Sequence, residues 1–403
     1  MFVLAPPKLH YFKDTTGDGV ADIRRDVLTG FGRENVQSVA NNLKWGLDNR
    51  ITLAAGRNGG KLSHKGQTVL TLGGKDISFD PRTIDVRALT GGVQFGNSFD
   101  AWGNRFVCSN SNHIQHIVLP RRYLSRRPGL SPPAAIRSIA AGGAAAPVYR
   151  KSGAEPWRIV RTRRRVSDPR VKARLPRTEQ FAIGFFTSAT SVTIYNGDAY
   201  PEAFRGNAFI GDVGGNLVHR KTMTPAGPSF IARRADQKVE FIASTDNWFR
   251  PVNFVNGPDG ALYLLDMYRE TIEHPYSVPE DIKKYLRLES GDDRGRIYRL
   301  IPPKWKQPKP VKLAAASSRD LVKALDSDNG WTRQTAHRLL WERNDRGTVP
   351  LLAKTAVRSA QPLARAHSLW ILHGLEALED KALVAALGDP CLLYTSPSPR
   401  DRG

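Results

Sequence analysis

Cysteine is nearly missing from this chain: two residues in 403, Cys108 and Cys391. That excludes a disulfide framework and a cysteine-based metal centre. No run of about 18 apolar residues occurs, so no transmembrane helix is indicated. The start, Met1-Phe2-Val3-Leu4-Ala5-Pro6-Pro7, lacks both the basic and the long apolar region of a secretion signal. It reads like the middle of a strand, as if the chain had been cut there. Acidic residues are also scarce, 38 against 60 Lys and Arg, for a net charge of +22. Such a surplus raises nucleic acid as a partner, but it is unevenly placed. Residues 121–177 hold 16 Lys/Arg against Glu155 and Asp168 only. That stretch is rich in Pro, Ala and Gly and poor in aromatics, so it reads as a solvated loop inserted over 121–180, and no nucleic acid is expected.

What is present is turn chemistry followed by short apolar runs. Val252–Val255 and Ala261–Leu265 flank Gly257-Pro258-Asp259-Gly260, which predicts a hairpin. Similar turn-then-apolar stretches are Trp45–Ile51, Asp100–Phe106 and Phe204–Phe209. Their first apolar residues, Ile51, Phe106, Phe209 and Leu262, are separated by 55, 103 and 53 residues. The middle interval is about double the others, so one copy is expected to be masked between Phe106 and Phe209. One hairpin is marginal alone. Repeats of this length suit four-stranded blades around an axis, a β-propeller. A β-sandwich with coincidental turns is the alternative.

In chain order, Asp14, Thr16, Asp18 and Asp22 occupy alternating positions around Gly17 and Gly19, as in a Ca²⁺ loop. A neutral Thr16, and Arg25 where a bidentate Glu would stand, weaken the match, and an ion-free turn is the other reading. Polar residues cluster before the inner strands, Asn41 before one and Gln94 before another, and are pocket candidates. His113 and His116 lack an apparent third ligand, and His219 stands alone. Asp246-Asn247-Trp248-Phe249-Arg250 is the densest polar and aromatic cluster, and Asp266 and Arg269 follow the central hairpin. An Arg there could clamp a carboxylate or phosphate. Ile297–Ile301 looks like a closing strand. Residues 302–318 read as a linker. Residues 319–390 have 3.6-type spacing, with Ala336-His337 and Ala366-His367 recurring 30 apart, which suggests HEAT-like helical repeats that stop in mid-repeat. Residues 391–403 resemble translated sequencing-adapter sequence and are set aside. The chain thus reads as mainly β over 1–301, then helical.

The motifs at 14–22, 45–49, 99–106, 204–209, 244–251 and 291–298 together resemble the PVC-type haem-binding proteins, also described as membrane-bound dehydrogenase-domain proteins. The resemblance covers residues 3–390. It implies an extracytoplasmic six-bladed propeller with its first blade or blades missing here, HEAT repeats, and a C-x-x-C-H cytochrome c domain. No C-x-x-C-H occurs in this chain, so haem c is expected only in a domain beyond it. The propeller is similar to those of soluble glucose and sorbosone dehydrogenases, which use pyrroloquinoline quinone (PQQ) and Ca²⁺. Their general-base His falls at Ser38, a poor proton acceptor near neutral pH. Their Arg-Asn pair falls near Gly92-Val93, whereas Arg250-Pro251 matches. The resemblance implies a PQQ-type sugar or alcohol dehydrogenase passing electrons to a cytochrome domain or other acceptor. Its cofactor contacts would be Asn41, Gln94, Asp246, Asn247, Arg250, Asp266 and Arg269, with no catalytic residue assigned. Ser38 favours the alternative, a non-catalytic propeller and helical scaffold that binds polysaccharide or protein.

Overall fold

The computed structural model describes residues 1–126, 129 and 133–393. Most of the adapter-like tail, residues 394–403, lies outside the described residues. Residues 2–300 form five antiparallel sheets, none of them closed on itself. Four sheets begin with the strands Asn41–Trp45, Phe95–Phe99, Ala189–Ile194 and Pro251–Asn256. In each, the next strand starts at or one residue before Ile51, Phe106, Phe209 or Leu262, the positions read from the turns.

The four leading strands touch one another in a circuit. Asn97 Nδ2 donates to the Asn42 carbonyl at 2.9 Å, and the Ile194 amide donates to Ser98 Oγ at 3.1 Å. Thr190 Oγ1 donates to the Pro251 carbonyl at 2.7 Å, and Asn256 Nδ2 to the Ile194 carbonyl at 3.0 Å. Asn253 Nδ2 then donates to Asn42 Oδ1, which completes the circuit. Asn42 takes a left-handed φ of 55° at an irregularity in its strand. Asn tolerates that conformation better than most residues. The apolar core lies between neighbouring sheets. Phe106, Ile114, Val192, Ile210 and Leu217 form one cluster, and Tyr195, Phe209, Phe254 and Leu264 another.

One expectation needs correction. No further sheet lies masked between Phe106 and Phe209 among the described residues. Ile136–Ser138 only completes the sheet begun at Phe95, and the interval also holds the helix Pro156–Ser167. The N-terminal strands form a separate five-stranded sheet, in which Ile23–Phe31 pairs with Gly60–His64. That sheet packs on the one containing Leu53, Ile77 and Phe79.

Successive antiparallel strands leave two ends to the circuit. At the strand-start end lie the residues preceding each leading strand. At the turn end lie the hairpin turns. Helices from Ser318–Ala324 through Pro362–Gly374 pack around Leu321, Leu340, Leu352 and Ile371 and cover the turn end. The Gly330 amide donates to the Asn196 carbonyl at 2.8 Å, Asn329 Nδ2 reaches Asp198 Oδ1 at 2.9 Å, and His337 Nε2 lies 2.9 Å from Asn49 Oδ1. No described helix is long and apolar enough to cross a membrane.

Gly260 shows why the central turn needs glycine. Its φ is +78°, and a Cβ would sit 1.9 Å from Asp198 Oδ1. Gly260→Ala is expected to destabilise the protein by about 2–3 kcal/mol, read as a lower urea midpoint at unchanged m-value.

Candidate functional site

The strand-start end is built around Arg250, which has no exposed surface. Its Nε donates to the Arg269 carbonyl at 2.9 Å and its Nη1 to the Val213 carbonyl at 2.8 Å. Nη2 donates to Glu155 Oε1 at 2.7 Å and to the Glu270 carbonyl. Burial weighs against the guanidinium charge and Glu155 supports it; the net effect lowers its pKa. Burial also opposes the Glu155 charge, but Arg250 and Arg158 outweigh it and hold that carboxyl below its ordinary range.

Glu155 precedes the helix Pro156–Ser167, which stands in place of the solvated loop expected over 121–180. Pro at the first helical position favours the start. Its arginines recur at helical spacing and meet carboxylates. Arg158 lies 3.3 Å from Glu155, Arg161 2.6 Å from Glu273, Arg164 2.8 Å from Asp281 and Arg165 2.9 Å from Glu179. The helix is therefore a strap across this end, tied along its length. Arg161–Arg165 is not a free basic run.

The other sequence candidates divide into two groups. Asn41 Nδ2 donates to the carbonyls of Val39 (2.9 Å) and Gln94 (3.1 Å), while Gln94 Nε2 donates to the Gln37 carbonyl at 3.0 Å. Gln94 Oε1 accepts from the Asn110 amide at 3.2 Å, and Asn110 leads through Glu179 to the strap. The second group surrounds Arg250. Asp266 Oδ1 accepts from the amides of Arg250 and Tyr268, and burial raises its pKa. Arg269 Nη1 donates to the carbonyls of Met267, Tyr268 and Gly291. Asp246 Oδ1 accepts from the Trp248 amide, and the Asn247 carbonyl accepts from Asn216 Nδ2. Asn247 Oδ1 is buried without a partner among the described residues. Glu155, Arg158, Asn216 and Glu273 belong to this site and escaped the sequence reading. The only local hint was Glu155-Pro156 ahead of arginines at three-residue spacing.

These residues do not fit PQQ, a flat tricarboxylate that needs free cationic donors beside a slot. Arg250 and Arg269 donate to protein oxygens, and Ser38 is 3% exposed. The Asp14–Asp22 loop holds its carboxylates on its own backbone. Asp14 accepts from the amides of Thr16, Gly17 and Gly19, Asp18 from Val20, and Asp22 from the amide and hydroxyl of Thr15. Those backbone bonds lower the pKa of Asp14 and Asp22. Among the described residues no three His, Cys, Asp or Glu converge as an ion site. The loop therefore does not fit Ca²⁺ in this conformation.

Residues 1–304 match the family model described as "Domain of unknown function (DUF7133)". No curated protein sequence matches the chain. Among solved structures, the "putative oxidoreductase (glucose dehydrogenase)" from Thermus thermophilus is similar at 14% identity and a TM-score of 0.39, over 73% of this chain and 74% of that one. Two further structures described as glucose dehydrogenase show 16% and 15% identity, TM-scores of 0.35 and 0.34, and 64% coverage of this chain, with 69% and 70% of theirs. Scores of this size leave the functional reading to the chain's own geometry.

Proposed function

The chain belongs to the family described as a domain of unknown function (DUF7133), and on that premise we propose that it is a non-catalytic binding scaffold. In this reading the strand circuit is a propeller-type platform, and HEAT-like helices cover its turn end. The observation that supports the reading is the closure of the strand-start end: the strap helix and the buried Arg250–Glu155 pair fill it.

The surface offered for binding is the strand Arg296–Leu300. It is the outer edge of a three-stranded sheet, exposed along nearly its whole length, with Ile297 71% exposed. Seven Lys/Arg and no acid fall between Arg294 and Lys312. An uncovered edge offers unpaired backbone groups to an added strand. The partner that fits is an extended, acidic polypeptide segment.

The test uses a fluorescent peptide of alternating Glu and Val. Binding should protect the 296–300 amides from hydrogen exchange and weaken with salt. Arg296→Glu with Ile297→Asp is expected to lower affinity at least about tenfold. The same protein is assayed with PQQ, Ca²⁺ and aldoses for dye reduction. Saturable cofactor-dependent turnover would overturn the scaffold reading, and unprotected edge amides would remove this surface from it.

A further inference from the structure

Six arginines are buried among the described residues: Arg50, Arg105, Arg158, Arg161, Arg250 and Arg333. Five have a carboxylate oxygen between 2.6 and 3.3 Å away. Among the described residues Arg333 has none within 4.0 Å, although it is only 4% exposed. Its Nη1 donates to the Ser327 carbonyl at 2.6 Å. Its Nε is buried with no partner. A buried guanidinium with no carboxylate in contact is costly, because its charge has lost water and is compensated only in part, by Asp328.

Arg333 lines a cavity of about 80 Å³ between the helical unit and the turn end of the strand circuit. Arg205 enters the same cavity from the strand side. Burial and the nearby Arg205 both weigh against the Arg333 charge, and Asp328 offsets them in part. Arg205 lies 3.4 Å from Asp328, which is itself part of the lining. Asp326 also lines the cavity, but its Oδ1 accepts the Ser359 hydroxyl at 2.6 Å. The helix Pro362–Gly374 opens on this space. Gln361 precedes it without making a side-chain cap, and Leu363 is part of the lining. The first amides of a helix favour negative charge. The volume is roughly that of two to three waters in the liquid, large enough for one oxyanion group.

We propose that this cavity is a binding site for a small oxyanion, a phosphate or a carboxylate, held between Arg333 and Arg205. The planar guanidinium fork of Arg333 matches such oxygens. The site draws one cation from each unit, so its occupant would link the helices to the strand circuit. It is separate from the strand-start end and from the exposed Arg296–Leu300 edge, and does not depend on either.

The experiment titrates the full chain with inorganic phosphate, and in a second arm with acetate, at ionic strength matched by chloride. Thermal unfolding and calorimetry are the readouts. A saturable rise in Tm of a few degrees with phosphate assigns a phosphate source, and with acetate a carboxylate source. Arg333→Gln is expected to weaken binding more than about tenfold. Arg205→Gln, at a half-exposed position, should also weaken binding and keeps the test open if Arg333→Gln fails to fold. Arg319→Gln, on the exposed face of the preceding helix, should bind as the parent does. No anion-specific rise in either arm, or a rise that survives both Arg205→Gln and Arg333→Gln, would overturn the proposal.

Discussion

Arg250→Met is expected to destabilise the protein by about 3–5 kcal/mol, the range for breaking a buried ion pair from one side. Methionine fills most of the volume but supplies none of the four hydrogen bonds. The carbonyls of Val213, Arg269 and Glu270 lose their Arg250 donors, and Glu155 keeps only Arg158. Unsatisfied buried acceptors carry their own cost, roughly 1–3 kcal/mol each before relaxation. Denaturant midpoints at constant m-value measure the total. Glu155→Gln should lose less, since an amide can still accept from Arg250 Nη2. The double variant should cost less than the sum of the two, because both remove one interaction. A different result distinguishes the cofactor reading. Were Arg250 held in reserve for a bound molecule, its removal would abolish binding while leaving the stability of the free protein almost unchanged.

The repeat was legible because turns are local. Pro258-Asp259-Gly260 and its weaker copies carry their conformation in three or four residues, so the starts of the second strands could be counted directly. The strap was not legible for the opposite reason. Its helix is 12 residues inside a Pro-, Ala- and Gly-rich stretch that averages out as a loop. What holds it is remote: Arg161 meets Glu273 across 112 residues, and Arg164 meets Asp281 across 117. No windowed pattern contains such pairs. The Asp14–Asp22 loop was ambiguous in principle. The same alternating oxygens that can wrap a cation can also bind the turn's own amides. Arg250 was found by its sequence position, but its role depends on Glu155, 95 residues away. The two histidines 30 apart were visible as a recurrence, and only packing gives that recurrence a meaning.

That pairing leads to a second expected result: docking of the helical unit onto the turn end weakens below about pH 6.5. His337 and His367 are buried and face each other, Nδ1 to Nδ1, at 2.9 Å, and His337 Nε2 meets Asn49 Oδ1. Because Asn49 Oδ1 can only accept, His337 carries its proton on Nε2. Its Nδ1 then accepts from His367 Nδ1, so the chain of bonds requires His337 to be neutral and breaks when both rings are protonated. Burial pushes His337 down to about 3, and burial together with His337 and Arg333 pushes His367 well below its ordinary value. Asp100 and Gln334 line the same small space as the two rings. Burial raises the pKa of the Asp100 carboxyl. The folded pKa values lie below the unfolded one, so the stabilisation is complete above about pH 6.5. It declines as pH falls toward the folded pKa, by about 1.4 kcal/mol per pH unit for each histidine. Trp341 provides the readout, since it lies under Arg82 at 3.5 Å and edge-on to Trp45 at the same junction. Its fluorescence and the urea midpoint should change together between pH 6.5 and 4. His367→Leu removes one of the two titrating rings, so the slope of stability against pH should fall by about one proton. An unchanged slope in that variant would place the acid sensitivity elsewhere in the chain.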